Sequence, residues 1–185
     1  MNNYIILGHP RSGKTILANL LSKNVAYSVI SLDNLSYAFG KVFPGLNITG
    51  STNDLGCENF VKFIEAYLSL MVKYDNPLGM YCIIEGDSIK AEDAIKYLGD
   101  SDNQVVILGK PKLTPQQLFE QVRRAEEHYG GWTVKRSDDS IIKLCKEWVE
   151  RANTDKKLSE TYGITFLDTS YNYQVLIEFC GGKNV

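Results

Sequence analysis

The chain has 185 residues and a formal net charge of -2, with 44% hydrophobic and 23% charged residues, the balance of an ordinary globular protein. That composition excludes disordered, collagen-like and coiled-coil classes, and the length suits one domain (1–185) with a full core. Near-neutral charge offers no overall field for nucleic acid or anionic lipid, so neither is an expected partner.

The opening "MNNYIIL" has no basic region and too short an apolar run for a signal peptide. No uncharged apolar stretch approaches the roughly 18 residues that span a bilayer. A cytoplasmic location is the expectation. Cys57, Cys82, Cys145 and Cys180 are far apart, without zinc-ligand spacing; Cys82, in a strand, and Cys145, on an apolar helix face, read as small core residues.

Short β runs alternate with helical patterns, which predicts an α/β fold with a parallel sheet covered on both faces. The first strand is Tyr4 to Leu7. A helix follows from about Gly13 to Ser22, with Ile16, Leu17, Leu20 and Leu21 as its inward stripe. Residues 26–31 form the second strand. From Asn34 to Cys57 no periodicity is strong, and so long an irregular stretch in a compact domain is usually functional or mobile.

A helix from about Glu58 to Tyr74 packs through Phe60, Ile64, Tyr67, Met71 and Tyr74. "MYCIIEGD" is a central strand, apolar nearly throughout. A crossover helix runs from Ile89 to Leu98 and the fourth strand from 104 to 109. Thr114, Pro115 and Gln117 have the cap, N1 and N3 identities of a helix start, with the helix running to about His128. "YGGWTVKRSDD" breaks it. A further helix, apolar along Ile141, Leu144, Cys145, Trp148 and Ala152, leads to a last strand at 164–168 and a short final helix at about 173–180.

The chemistry starts between the first strand and first helix. Gly8, His9, Pro10, Arg11, Ser12, Gly13, Lys14 and Thr15 fit the phosphate-binding loop pattern, strand before and helix after. Its glycines let successive N–H groups face an anion at a helix N-terminus, where Ile16 begins the first turn. Lys14 would bridge the terminal phosphates, and the Thr15 hydroxyl would hold Mg²⁺. His9 reads as a solvent-facing loop residue.

Asp33 follows the second strand at the carboxyl edge of the sheet, where ligands bind in open α/β folds. It would take the proton of an attacking hydroxyl, or serve as a helix cap. Glu85 and Asp87 end the third strand two residues apart and are placed to orient Mg²⁺ or polarise a nucleophile, although Asp87 also suits a helix cap. Arg123 and Arg124, with Lys135 and Arg136 across the Gly-Gly break, would close over phosphates as a lid. Otherwise they form a solvated face with Glu126 and Glu127.

Together, "GHPRSGKT", "LD" after the second strand, the acid ending the third, the arginine-bearing break and "FLDTS" resemble the P-loop small-molecule and nucleotide kinases, the adenylate-kinase-like group. The resemblance spans nearly the whole chain. It implies a five-stranded sheet of order 2-3-1-4-5, an acceptor-binding segment at about 34–75, a helical lid at about 120–140, and ATP with Mg²⁺ as donor. It also implies that Ser170 and Tyr171 line the adenine. "EGDSI" departs from the run that adenylate kinases proper carry after the third strand, and the glycine cluster of shikimate kinases is absent there. The guanine-reading N-K-x-D pattern is missing too, since "NTDK" at 153–156 has its residues out of order.

The expected function is therefore phosphoryl transfer from ATP to a small nucleoside, nucleotide, sugar or hydroxy acid, by a monomer or homodimer. An ATP-binding switch without acceptor, and a toxin-like kinase acting on a sugar nucleotide, are the alternatives.

Overall fold

The computed structural model describes residues 2–23, 27–46, 48, 55–73, 81–99 and 103–181, with side chains left out at 55–57 and 71–73. Five strands, β1 (Asn3–Gly8), β2 (Tyr27–Ser31), β3 (Tyr81–Gly86), β4 (Asn103–Gly109) and β5 (Thr165–Asp168), form one sheet of order β2-β3-β1-β4-β5. Each recorded pairing is parallel, so every strand ends at the same edge.

Alternation along β1 divides the core. Ile5 and Leu7 face the helices α2 (Leu32–Val42), α3 (Leu55–Lys73) and α4 (Ala91–Leu98), packing with Leu32, Phe60, Ile64 and Leu98. Tyr4 and Ile6 face α1 (Lys14–Leu21) and α7 (Gln174–Gly181), packing with Leu17, Leu21, Leu176 and Cys180. The third cluster joins α5 (Pro115–Tyr129) to α6 (Asp138–Tyr162) through Leu118, Val122, Ile141, Cys145 and Trp148. Cys82 and Cys145 are buried free thiols, as expected of core residues, and Cys180 is a third.

The main departure from the sequence reading is α2. Asn34 to Cys57 was expected to lack regular structure, yet a helix begins directly after β2, with the Ser31 hydroxyl accepting from the Asn34 N–H as its cap. Its inward row is Leu32, Leu35, Ser36 and Phe39. Ser36 hides the period because a polar residue occupies a buried position, satisfied by the Asp33 carbonyl and the Ser88 hydroxyl. Ile16 also departs from its expected inward position, since it is 41% exposed on the outer face of α1. Asn47, Thr49, Ser51 and Asn53, the polar residues by which the segment 34–75 was expected to recognise an acceptor, and Tyr74 of the expected packed helix face lie outside the described residues.

Among the described residues no helix is long and apolar enough to cross a membrane.

Candidate active site

Strand register brings the predicted residues to one edge. Leu7 pairs with Gly86, Gly8 with Leu108, Ser31 with Glu85 and Gly109 with Asp168. The segments leaving these four points are the phosphate loop, the start of α2, the β3–α4 turn and the loop after β5.

Gly8 turns the chain out of the sheet at φ +146°, and a Cβ there would lie 2.1 Å from the Leu108 carbonyl oxygen. Backbone cannot yield as a side-chain tip can. Gly8→Ala is therefore expected to cost about 3 kcal/mol, read as a fall in the urea midpoint; a loss under about 0.5 kcal/mol would contradict the close approach. Lys14, at 8% exposure, opens α1 and donates to the carbonyl oxygens of Gly8 at 2.9 Å and His9 at 3.2 Å. Burial lowers its pKa, against the pull of Asp87, Asp33 and Glu85.

The Thr15 hydroxyl reaches Glu85 Oε2 at 3.5 Å. Burial raises the pKa of Glu85, opposed by Lys14. A hydroxyl and a carboxylate side by side are hard oxygen donors of the kind Mg²⁺ takes in ones or twos, with waters and substrate phosphate completing its octahedron. No group of three or more His, Cys, Asp or Glu suited to a metal occurs among the described residues. The Thr15 and Glu85 oxygens fit a hard cation such as Mg²⁺.

Asp33 sits in the first turn of α2, where its Oδ1 accepts from the Asp87 N–H at 2.9 Å and the Ser88 hydroxyl at 2.7 Å. Gly86 permits this approach, since a Cβ there would lie 2.7 Å from Leu32 Cβ and 3.0 Å from Asp33 Oδ1. Asp87, predicted beside Thr15 and the metal, instead ion-pairs with Arg151 of α6. Arg151 also reaches Asp155 at 3.4 Å. Burial raises the pKa of Asp87, and Arg151 and Lys14 hold it down.

Sequence reasoning missed Arg151 because its partner lies 64 positions away. The available signal was the buried row Trp148, Ala152, Asp155 and Ser159 on α6, whose polar members imply something polar beneath.

His9 corrects the expectation of a solvent-facing side chain. It is 1% exposed, and its ring lies parallel to Trp148 at 6.0 Å between centroids and an angle of 8°. Nδ1 donates to the Pro10 carbonyl at 2.7 Å, and burial drives the pKa to about 3, so the ring is neutral. It wedges the loop against α6.

The rest of the loop is tied to its surroundings. Arg11, at φ 65°, donates to the Gly130 carbonyl at 2.5 Å, joining the loop to the break between α5 and α6. Thr169 Oγ1 donates to the Ser12 carbonyl at 2.8 Å. Lys110, a second residue the sequence did not reveal, is buried and donates to Thr169 O at 2.8 Å and Gln121 Oε1 at 2.9 Å. Its burial lowers the pKa to about 8. Gln121 in turn donates to the Ser170 carbonyl at 3.0 Å. Ser170 is buried and Tyr171 exposed, so the segment expected to line adenine is a fixed ledge carrying one outward ring.

The arginines of the expected lid divide. Arg123 donates to Asp138 and Glu126, and to the carbonyls of Thr133 and Arg136. Its guanidinium thus staples the 129–137 turn, which corrects the expectation of an arginine free to reach phosphate. Arg124 is exposed on α5. Arg123→Ala is expected to speed proteolytic nicking of that turn at Trp132 or Lys135 while the main transition stays put. Equal nicking rates in variant and parent would remove the staple.

No protein-family model and no curated protein matches the chain. Solved structures do. A shikimate kinase from Bacteroides thetaiotaomicron is similar with a TM-score of 0.55 at 14% identity, over 99% of this chain and 96% of that one. Shikimate kinase from Acinetobacter baumannii, in complex with shikimate, gives 0.57 at 11% identity over 100% and 91%. Deoxyadenosine kinase from M. mycoides with bound dATP gives 0.49 at 12% identity over 100% and 99%. The likeness is one of fold. The chain shares its fold with those two shikimate kinases.

Proposed function

We propose that the protein transfers the terminal phosphoryl group of Mg-ATP to a hydroxyl of a small acceptor. The observation that carries this reading is the meeting of a phosphate loop with a separate carboxylate, Asp33, already oriented by two hydrogen bonds beside it. A nucleotide switch needs the loop; it has no use for an oriented base.

The loop amides and Lys14 bind and orient the β- and γ-phosphates and stabilise the charge that develops between them. Thr15 and Glu85 would hold a magnesium ion, which would supply positive charge to the phosphates when bound. Asp33 takes the acceptor's hydroxyl proton as the oxygen attacks the γ-phosphorus; that O–P bond forms while the bond to the β,γ-bridging oxygen breaks, and ADP leaves with the electron pair. Arg151, held by Asp87 and Asp155, supplies a guanidinium from α6. Excluding water matters because an open site would hydrolyse ATP.

Adenine is favoured over guanine because residues 153–156, the closest approach to a guanine-reading motif, lie inside α6. There Asn153 is spent on the carbonyls of Val149 and Pro111. The test is a coupled ADP-release screen over nucleosides, nucleotides, sugars and hydroxy acids, with Lys14→Ala as the blank. Acceptor-dependent release above the blank is expected. If no acceptor stimulates release, phosphotransfer is ruled out and the switch reading gains.

A further inference from the structure

Most arginines of the chain already have partners. Arg123 pairs with Glu126 and Asp138, Arg151 pairs with Asp87 and Asp155, and Arg136 lies over the Trp132 ring at 5.0 Å. Arg124 is exposed on α5. Arg11 is the arginine inside the phosphate loop, and among the described residues it enters no ion pair. The Glu126 carboxyl feels the Arg11 charge, yet its ion pair is with Arg123.

Glycine would serve the loop's backbone better at this place. Arg11 sits at φ 65°, in the left-handed region, and the loop's other positive-φ positions, Gly8 and Gly13, are glycines. Such a turn aims successive N–H groups into one anion-binding hollow, and glycine makes it at no steric cost. A side chain there adds strain, which persists where the surroundings hold it and use it.

The guanidinium is aimed. Its Nη2 donates to the Gly130 carbonyl at 2.5 Å, and a Cβ at Gly131 would lie 2.6 Å from Nη2. Gly130 and Gly131 both have positive φ, so the turn between α5 and α6 is shaped to lie against the guanidinium. That carbonyl accepts from Nη2 alone, and an arginine carries further N–H donors in a fixed fork. The residue is half-buried at the rim of the loop, so those donors are not consumed by packing.

Resting on the phosphotransferase reading, we infer that Arg11 is a further catalytic residue, whose guanidinium, held at one corner by the Gly130 carbonyl, donates its remaining N–H groups to the terminal phosphate of the bound nucleotide. The fork matches phosphate oxygens bidentately. Charge that builds on those oxygens during transfer then meets a donor already in place. The loop itself thus supplies the cation expected of the lid, where the donors of Arg123 go to Glu126, Asp138 and the turn carbonyls.

The experiment uses the full chain and Arg11→Gly, a change that suits φ 65° and keeps the loop backbone. Calorimetry with Mg²⁺ measures the affinity for ADP and for a non-hydrolysable ATP analogue, and coupled ADP release measures acceptor-dependent kcat. Arg11→Gly is expected to weaken the analogue about tenfold or more, the scale of a hydrogen bond to a charged group, with ADP affinity held, and to lower kcat about 10³-fold. Arg11→Lys keeps the charge without the fork and is expected to recover only part of both losses. Arg123→Ala loosens the same turn and is expected to keep the affinity for the analogue. Unchanged analogue binding in Arg11→Gly, an equal loss of ADP, or an equal loss in Arg123→Ala overturns the inference and leaves Arg11 as a tie between loop and turn. Release by the parent no higher than the Lys14→Ala blank overturns phosphotransfer; the binding comparison needs no acceptor and decides the Arg11 contact separately.

Discussion

Lys14→Met is expected to reduce acceptor-dependent turnover by about 10³-fold, the scale of losing a preorganised charge at a transferring group, without lowering the melting temperature. The two halves of this result have opposite origins. In the transition state, negative charge builds on oxygens facing the loop, and an ammonium placed beforehand stabilises it with no reorganisation.

In the folded protein alone, that ammonium is a cost. Three carboxylates favour its charged form, yet burial outweighs them and the pKa falls below the ordinary lysine value. The sign follows from linkage: between the lowered folded pKa and the unfolded value of about 10.4, the unfolded chain holds the extra proton, so stability rises with pH there. Below that window the charge opposes folding. Methionine keeps the apolar stem and removes the charge.

Thermal melts at pH 7, and the difference in stability between the two proteins from pH 7 to 10, check this directly. The parent should gain on the variant as pH rises, and the contribution of Lys110 cancels in the difference. A variant that melts several degrees lower at pH 7 would show that the carboxylates need Lys14 more than burial penalises it.

What could be read in the sequence follows from how far apart the cooperating residues stand. The phosphate loop is eight consecutive residues between a strand and a helix, so its shape is local. Asp33 and Glu85 were visible because parallel strands must end at one edge, which makes the residue after a strand a candidate wherever that strand lies in the sheet. Asp87 was visible as an acid, but its partner was not. Arg151 reaches it from another helix, and nothing along the chain couples the two.

Lys110 and His9 were hidden for a related reason. Lysine and histidine beside a loop look solvated until the packing of Tyr173 or Trp148 over them is known. For α2 the obstacle was Ser36, a buried position filled by a hydroxyl whose partner, Ser88, lies 52 residues later. Arg123 shows the reverse error: a cation in an apparent lid suggests phosphate, whereas here the turn's own carbonyls use its donors.

Asp33→Asn is expected to leave ATP binding unchanged and to lower phosphoryl transfer by about 10²-fold or more, the usual loss for removing a general base. Asparagine suits the test because of what Asp33 does structurally. Its Oδ1 accepts the Asp87 N–H and the Ser88 hydroxyl, and a carboxamide oxygen accepts the same two bonds. Anchored that way, the amide turns its NH₂ to where the second carboxylate oxygen stood, and an NH₂ takes no proton. Ser88→Ala is the complementary variant, keeping the carboxylate and deleting one tether. If Asp33 acts by accepting a proton, D33N loses far more turnover than S88A at equal nucleotide affinity. If it acts only by joining α2 to the β3–α4 turn, S88A is the worse of the two, and D33N stays within about tenfold of the parent, too small a loss for a general base.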